Sequence, residues 1–597
     1  MKTYIQSSLF RFLMMILTAI SFSVCYIDLI NEMIKKNNIY LHLNICLIFS
    51  ICFIIFLVIN IFLFRKKIKV NKYIVILSIL MSTFIYIGDS YRTYDTLIST
   101  NIIYIFGYFY FFLYLFYYLI NIIKKWKQEE DIKNTFIRKH IFLISIITLV
   151  LGWAIYHIAF YPMILSKDPS FQLLQALGER TKYSDYSVLL DPNVNITNHH
   201  PVLHTLFLGS CLKLGRLLVN DNFGLYIYVF IQSIFMIFTL SYTLVFMKKY
   251  GVKTRYLLIV LCLYTFLPFF PLYSLNANKD VYFSLFIVWL VMILFSIIYG
   301  KEKQISIRKC ILLFVILLLM SLFRNNGIYL VCLLFPFVIY YLKNNRLKVL
   351  TVFGLVIVLF FSYTNILLPY FKITPGSDRE KLSVFFQQTA RYIKYNEKDL
   401  SMKDKKYINK VLNYKTVKRK YNPNLSDPVK NTYRLTVTKK DMSNYYKVWF
   451  KGLIKHPYTY VDATINNTYG YFDSLEKNWY VYTDYCDVVN GKIDYHYNSL
   501  YELREIISIY GGVMHYVPII SLLTSIGFYI FILLSMSIYL LFKKKYKYLI
   551  VLNPLLVSLL VCISSPANTY FRYAMPIIFS IPLVVGLWLV IDKNRNA

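Results

Sequence analysis

Long apolar runs separated by short polar and basic segments dominate the chain. The runs HLNICLIFSICFIIFLVINIFLF (42–64) and NIIYIFGYFYFFLYLFYYLINII (101–123) exceed the roughly 20 apolar residues that cross a bilayer. Because a segment in lipid must satisfy its own backbone hydrogen bonds, these runs predict helices and not strands. The pattern therefore predicts an all-α membrane protein, a polytopic bundle of about 14 transmembrane helices.

The apolar runs also give the approximate position of each predicted helix. These positions are near 10–30, 42–64, 73–89, 101–123, 141–161, 223–247, 256–272, 281–299, 310–322, 328–342, 349–369, 516–541, 549–563 and 574–591. The first helix is followed by NEMIKKNN and not by a small-residue cleavage site, so we interpret it as a retained anchor.

The charge of +35 is distributed in a way that predicts the topology. Basic clusters lie between apolar runs at 65–72, 124–127, 248–255 and 543–547, which is the positive-inside pattern of a multi-pass cell-membrane protein. With these clusters inside, both termini are cytoplasmic, and nucleic acid is not needed to explain the basic composition. If residues 201–219 spanned the membrane, every later basic cluster would move to the opposite side. We therefore expect these residues to form an interfacial amphipathic helix.

Composition divides the chain into four parts, and two long segments lie outside the lipid. Residues 383–393 have a helical pattern and residues 479–489 a strand-like one, so the outer domain is expected to be α+β or mainly α. The first of these parts, residues 1–140, holds no candidate functional residue. Residues 1–140 are predicted to form an N-terminal four-helix module. Residues 141–369 are predicted to form a membrane core that contains the first outer loop, 162–222. An extracytoplasmic domain (370–515) and C-terminal transmembrane helices (516–597) follow.

The first outer loop holds the candidate acid–base residue. Asp168 follows the helix that ends near 161, where a carboxylate can accept a proton from an attacking hydroxyl or hold a divalent cation. Asp168 before Pro169 is also a common helix start, and this capping role is compatible with the other two.

Three histidines follow in the same loop. His200 and His204 would form an i, i+4 pair on a helix starting near Pro201, a spacing that can bind metal together with Asp168. The alternatives are that His199, His200 and His204 contact a phosphate, an acceptor or the backbone.

Four further polar residues are predicted at the same outer interface. Lys279 and Asp280 open a helix in NANKD, and Asp280 is expected to cap it or to orient Lys279. Arg324 lies in LFRNNG, the predicted turn of a helical hairpin, and Arg572 lies in TYFRYAMP near the last helix. The guanidinium groups of Arg324 and Arg572 can bind phosphate bidentately, and the ammonium group of Lys279 can pair with a phosphate as a point charge, so all three are candidate phosphate ligands. The alternative is that every outer loop simply carries some polar residues.

The chain lacks the Walker A, GxSxG, HExxH and GxGxxG motifs and has no predicted cytosolic domain. A reaction driven directly by a nucleotide is therefore disfavoured, and an activated substrate would already be in the membrane. The basic stretch 403–423 fits a solvated face, or attraction to an anionic polymer or lipid surface.

The order of these motifs resembles the GT-C glycosyltransferase superfamily. The elements are Asp168 after a helix, HHPVLHTLFLG (199–209), NKD (278–280) and LFRNNG (322–327), and the resemblance covers about 141–591. The chain is most similar to multi-pass proteins of Gram-positive bacteria associated with surface-polysaccharide loci. The resemblance implies a polyprenyl-phosphate sugar donor, Asp168 as base or metal ligand, and Lys279, Arg324 and Arg572 as donor-phosphate ligands. Many members carry an acidic pair in this loop, whereas here Asp185 and Asp191, the candidates for the second role, are not adjacent to Asp168.

We therefore expect a transferase that moves a sugar from a lipid-phosphate donor to a cell-surface glycan or lipid acceptor on the outer membrane face, with a divalent cation as an optional cofactor. Two alternatives remain at this point: a polysaccharide polymerase or ligase, and a lipid-linked glycan transporter or flippase. A transporter usually binds its substrate near the middle of the membrane on broken helices, whereas the polar groups here gather at the outer interface.

Overall fold

The structure is a computed structural model of the chain. It describes residues 8–36, 45–97, 102–129, 131, 136–181, 196–300, 304–476, 489, 491–517 and 520–591. Within these residues the chain forms helices and isolated backbone bridges and no sheet, as expected for an all-α membrane protein.

The N-terminal helices pack around a hydrophobic core of their own. These helices are α1 (Ser8–Lys36), α2 (Ile45–Leu63), α3 (Lys72–Tyr94) and α4 (Ile103–Gln128). The core is rich in aromatic rings, including Phe22, Tyr108 and Phe112, and one later residue, Phe531, joins it. The module is therefore packed against the rest of the bundle.

A larger hydrophobic core spans the remaining membrane helices. The helices before the outer domain are α5 (Ile141–Ala159), α6 (Lys167–Ala176), α7 (Val202–Leu218), α8 (Asp221–Lys249), α9 (Thr254–Phe266), α10 (Lys279–Tyr299), α11 (Ile307–Phe323), α12 (Gly327–Tyr341) and α13 (Arg346–Ser362). Helix α10 is buried along most of its length, because it is apolar on every side and neighbours surround it.

The outer domain consists of helices between two membrane segments. They are α14 (Ser383–Asn396), α15 (Met402–Val411), α16 (Tyr414–Lys420), α17 (Lys439–Lys455), α18 (Pro457–Asn466) and α19 (Tyr501–Met514). Phe386, Val417 and Tyr445 are among its core residues. The helix predicted at 383–393 is confirmed, whereas the strand-like stretch 479–489 lies, except for Val489, outside the described residues.

The last helices return to the bundle as α20 (Ile526–Phe542), α21 (Leu549–Ile563) and α22 (Phe571–Ile591). The helix predicted at 516–541 therefore begins later than expected. Before it, α19 ends at Met514 and a short helix covers Ile520–Thr524. Tyr510 of α19 donates to the carbonyl oxygen of Phe266, so α19 lies at the end of α9.

Ten helical stretches in the described residues are long and apolar enough to cross a membrane. They are Ser8–Ile27, Cys46–Leu63, Lys72–Tyr94, Ile103–Gln128, Ile141–Ala159, Asp221–Lys249, Lys279–Tyr299, Lys343–Tyr370, Tyr546–Ile563 and Phe571–Ile591. The other four predicted spans correspond to α9, α11, α12 and α20, which have 13 to 17 residues. The chain is thus a multi-pass membrane protein, and the count of 14 spans stays a prediction.

Residues 201–219 form α7, which packs between α6 and α8. It buries His204, and its exposed residues include leucines, such as Leu206 and Leu217, as well as the charged Lys213 and Arg216. Its predicted place in the membrane interface stays a prediction.

The basic clusters gather at one end of the bundle. The Lys253 ammonium donates to the carbonyl oxygens of Trp126 and Glu129, and that of Lys127 lies 4.4 Å from the ring centroid of Trp588. Lys545 donates to the carbonyl oxygen of Ile591 at 2.9 Å. The outer domain lies at the opposite end, so the molecule has one basic end and one end that carries the domain. Which end faces the cytoplasm stays a prediction.

Candidate functional site

Two loop segments align side by side at the domain end of the bundle. The backbone N–H of Ile164 donates to the carbonyl oxygen of Leu275 at 3.0 Å, and Ser166 donates to the Asn276 side chain at 3.2 Å. Each segment then enters a helix, the first at Lys167 and the second at Lys279. This alignment places Asp168 and Lys279, which lie 111 positions apart in sequence, in neighbouring first turns.

Asp168 accepts bonds from two cationic side chains. Its Oδ2 lies 2.6 Å from Nη1 of Arg572 and 3.3 Å from Nζ of Lys279. Burial raises the pKa of Asp168, but Arg572 and Lys279 outweigh burial and hold the pKa well below its usual range. Asp168 is therefore ionised and strongly held in this arrangement, which makes it a weak base until these cations are drawn away.

A second carboxylate lies behind the first. Oδ1 of Asp280 is 3.0 Å from Nη1 of Arg324, and its Oδ2 is 3.9 Å from Nε of Arg572. Arg572 thus joins the two carboxylates. Three cations and two carboxylates leave one positive charge in excess, which favours an anionic ligand. We call these five residues, Asp168, Lys279, Asp280, Arg324 and Arg572, the ionic cluster.

The ionic cluster has an open and a closed side. The side chains of Asp168, Lys279 and Arg572 are 14–17% exposed, whereas those of Arg324 and Asp280 are 7% and 1% exposed. Aromatic rings cover Arg324, whose guanidinium carbon lies 4.9 Å from the ring centroid of Phe283 and 5.5 Å from that of Tyr573. A ligand therefore meets Asp168, Lys279 and Arg572 first, and the Arg324–Asp280 pair supports them from behind.

Helix ends determine where these cations lie. Arg324 follows the last residue of α11, and α12 begins at Gly327, so the predicted helical hairpin is present. A Cβ atom at Gly327 would lie 2.6 Å from the carbonyl oxygen of Met320, so the tight turn requires glycine. The Asn278 side chain accepts from the Asp280 backbone N–H at 3.0 Å, so Asn278, and not the predicted Asp280, caps α10.

His200 contacts Lys279 of the ionic cluster, and His199 lies beside His200. Nδ1 of His200 is 2.9 Å from Nζ of Lys279, and the two histidine rings are 4.6 Å apart. Burial and the charge of Lys279 lower the pKa of His200 well below its usual range, so its neutral imidazole accepts from Lys279. Burial likewise lowers the pKa of His199 to about 4.

His204 has a different place from the one expected. Helix α7 begins at Val202, so His200 precedes it and the i, i+4 pair on one helix face does not form. The Nε2 atom of His204 lies 2.7 Å from the Tyr228 hydroxyl, and its Nδ1 lies 2.9 Å from Nε2 of Gln172. His204 is fully buried and ties α6, which carries Asp168, to α7 and α8.

Asp168, His200 and His204, the candidate metal ligands, do not form one ligand set. In the ranges given above, no group of three or more His, Cys, Asp or Glu residues is arranged to hold a metal ion. Asp185 and Asp191, the other carboxylates considered in this loop, lie outside those ranges.

The outer domain contacts the loops that precede α7 and α22, beside the ionic cluster. The Asn198 N–H donates to the carbonyl oxygen of Thr374 at 2.7 Å, and the Ser426 N–H donates to that of Pro566 at 2.7 Å. Lys430 lies 2.6 Å from a carboxylate oxygen of Glu380, and both charges act on His199. Sequence reasoning did not select this ion pair, because its members lie 50 positions apart and no spacing signal links them.

A second buried ionic network joins α3 to the outer domain. Arg92 pairs with Asp473 and with Glu476, the latter at 2.9 Å. The hydroxyl of the adjacent residue, Tyr91, donates to Asp462 at 2.5 Å. The helix predicted at 73–89 extends to Tyr94, so Arg92 lies in the last turn and not in a loop. A charged pair, Asp89 and Arg92, inside an apolar helix was the available signal.

Burial raises the pKa of Asp473 to about 7, although Arg92 lowers it. A Cβ atom at Gly88 would lie 2.1 Å from the Asp473 carboxylate, and one at Gly527 would lie 2.4 Å from its backbone. Asp473 is therefore enclosed between α3 and α20, at a point where both helices carry glycine.

No curated protein and no solved structure matches the chain. A family of unknown function, DUF6020, matches residues 186–597. The matched region includes Lys279, Asp280, Arg324, Arg572 and the three histidines, and it excludes Asp168 and the N-terminal helices. Because this match covers most of the chain, the chain belongs to the DUF6020 family.

Proposed function

We propose that this protein is an inverting membrane glycosyltransferase that moves a sugar from a polyprenyl-phosphate donor to a glycan or lipid acceptor on the outer face of the membrane. One observation carries the proposal. A carboxylate and two cationic side chains from three distant parts of the chain share the open side of one cluster, at the end of apolar helices. A lipid phosphate requires both of these surroundings, a cationic contact and an adjacent bilayer.

The cations would hold the donor phosphate and stabilise the leaving group. As the bond between the anomeric carbon and the phosphate oxygen breaks, its electron pair goes to the phosphate, which gains negative charge. Lys279 and Arg572, which lie on the open side, are placed to neutralise that charge. Arg324 would act indirectly by keeping Asp280, and through it Arg572, in place.

Asp168 would act as the base. The acceptor oxygen forms the new bond to the anomeric carbon on the face opposite the phosphate, and its proton passes to the Asp168 carboxylate. Arg572 and Lys279 keep the pKa of Asp168 low before donor binding. A bound phosphate competes for the same two cations, so it raises the basicity of Asp168 when a donor is present.

This competition means that the donor must bind before Asp168 can deprotonate the acceptor hydroxyl efficiently. The acceptor hydroxyl meets a weak base when the donor is absent and a stronger one when the donor phosphate has engaged Lys279 and Arg572. The uncharged His200 contributes a ring nitrogen that holds Lys279 in position without adding a competing charge.

The test is complementation of a deletion strain. Wild-type protein and Asp494→Asn, which alters an exposed carboxylate elsewhere, should restore the surface glycan, whereas Asp168→Asn should fail although it reaches the membrane in equal amount. A normal glycan in the Asp168→Asn strain would remove Asp168 from the mechanism. Shortened chains in the deletion strain would instead favour a polymerase, and a lost decoration supports a transferase.

A further inference from the structure

An exposed apolar patch lies at the turn between α17 and α18. Phe450 and Ile454 of α17 and Tyr458 and Val461 of α18 are each more than half exposed. We call these four residues the hairpin-tip patch. Phe450 and Ile454 are four residues apart, so they lie on one face of α17. Isolated apolar residues on a surface are ordinary, but a contiguous set on two adjoining helices indicates a binding surface.

Packing inside the hairpin turns the patch outward. Tyr445, Val448 and Gly452 of α17 are buried on the side that faces the domain core. A Cβ atom at Gly452 would lie 2.2 Å from the Tyr460 hydroxyl, so this glycine lets the two helices approach closely. The opposite faces therefore point away from the domain.

Contacts with α3 determine where the patch lies relative to the membrane. The Tyr458 hydroxyl is 3.2 Å from that of Thr96, two residues beyond the end of the membrane-spanning α3. Asn466 donates to the carbonyl oxygen of Asp95 at 2.7 Å. Helix α18 is thus held at the end of a membrane span, where lipid head groups begin.

The surroundings of the patch also fit a lipid surface. Tyr94 and Leu97, at the end of α3, are exposed beside Tyr458 and extend the apolar surface toward the bilayer. Lys447 is exposed on α17, as are Lys451 and Lys455, which pair with Asp404 and Asp399. An apolar face with lysines beside it and tyrosines at the membrane boundary is typical of helices that lie in the interface of anionic membranes.

We propose that the hairpin-tip patch inserts into the outer leaflet of the membrane, so that Phe450, Ile454, Tyr458 and Val461 lie among the lipid head groups and upper acyl chains. The outer domain is then held by the bilayer at the tip and by α3 beside it. The inference does not rest on the proposed transferase activity.

The test uses the full chain in vesicles of phosphatidylglycerol and phosphatidylcholine that carry a photoreactive group near the head of the acyl chain. After illumination, peptides covering 446–461 should carry lipid, and peptides from the exposed start of α15 at Met402 should not. Equal labelling of both segments, or no labelling of 446–461, would overturn the proposal. Crosslinks between the tips of two chains would overturn it in favour of a protein–protein interface.

Two variants sharpen the result. Phe450→Glu and Ile454→Glu each replace an exposed ring or aliphatic side chain, so the fold should tolerate them, and labelling of 446–461 should fall about tenfold. Met402→Glu is the matched control and should leave the labelling unchanged. Unchanged labelling in both tip variants would contradict insertion by the patch.

Discussion

Nη1 of Arg572 lies 2.6 Å from Oδ2 of Asp168, although 404 positions separate the two residues in sequence. The contact joins the first outer loop to the last membrane helix. Nε of the same guanidinium faces Asp280, so the position of one side chain depends on the folding of three segments.

Arg572 and Asp168 should be energetically coupled. Arg572→Ala leaves Asp168 and the buried Asp280 without one of their partners, so we expect it to lower the free energy of unfolding by about 3–5 kcal/mol. Asp168→Asn should cost less in the Arg572→Ala background than in wild type, with a coupling of about 0.5–3 kcal/mol. Unfolding of the four proteins in detergent measures this, and additive effects would mean that the pair does not interact.

Lys279 and Arg324 should differ in what their loss changes. Lys279 is on the open side, so Lys279→Ala should raise the KM for the lipid-phosphate donor by about tenfold or more with little loss of stability. Arg324→Ala strands Asp280 in the interior and should lower stability by about 3–5 kcal/mol. Lys398→Ala, an exposed control, should change neither quantity. Equal effects of both cluster variants on the KM would contradict the division into open and closed sides.

His204 should make stability depend on pH. Burial lowers its pKa to about 3 from an ordinary value of 6.5, so between these values the unfolded chain binds more protons than the folded one. Stability therefore falls as the pH falls through this window, by at most about 1.4 kcal/mol per pH unit from this group.

Thermal unfolding from pH 7 to pH 4 tests this dependence. The decline in Tm should be smaller in His204→Gln than in wild type, whereas His496→Gln, at an exposed position, should follow wild type. An unchanged decline in His204→Gln would show that the imidazole is not held neutral.

The network around Arg92 should hold the outer domain to the N-terminal module. Gly88→Val places a side chain where the Asp473 carboxylate lies, so it should separate α3 from the segment 469–476. Hydrogen exchange of this segment and of α18 should increase in Gly88→Val. The matched control is Gly354→Val, because no atom lies within 4 Å of a Cβ atom at that position. Equal protection in Gly88→Val and wild type would contradict a holding role.

The local pattern of the sequence was enough to predict the helices. Each of the 14 predicted positions corresponds to a helix, because apolar composition and lipid leave the backbone few alternatives. The same pattern placed Asp168, Lys279, Arg324 and Arg572 at helix ends on one side, and the structure brings them into one cluster.

The pairings within the cluster were beyond sequence reasoning. Whether Asp168 contacts Arg572 or Arg324 depends on how α6, α11 and α22 pack, which no spacing encodes. The i, i+4 spacing of His200 and His204 predicts a pair on one helix face, but α7 begins at Val202, after His200, so the two histidines do not share a face. Arg92 was missed because its partners, Asp473 and Glu476, are more than 380 positions away.

Binding of polyprenyl phosphate to the purified full chain tests the central claim most directly. Wild-type protein should bind it and Lys279→Ala should bind it about tenfold more weakly, because the ammonium contacts the phosphate. Asp168→Asn should bind it more tightly than wild type, because the competing carboxylate is gone and Arg572 and Lys279 become available. Unchanged binding in Lys279→Ala together with weaker binding in Asp168→Asn would contradict a phosphate held by these cations.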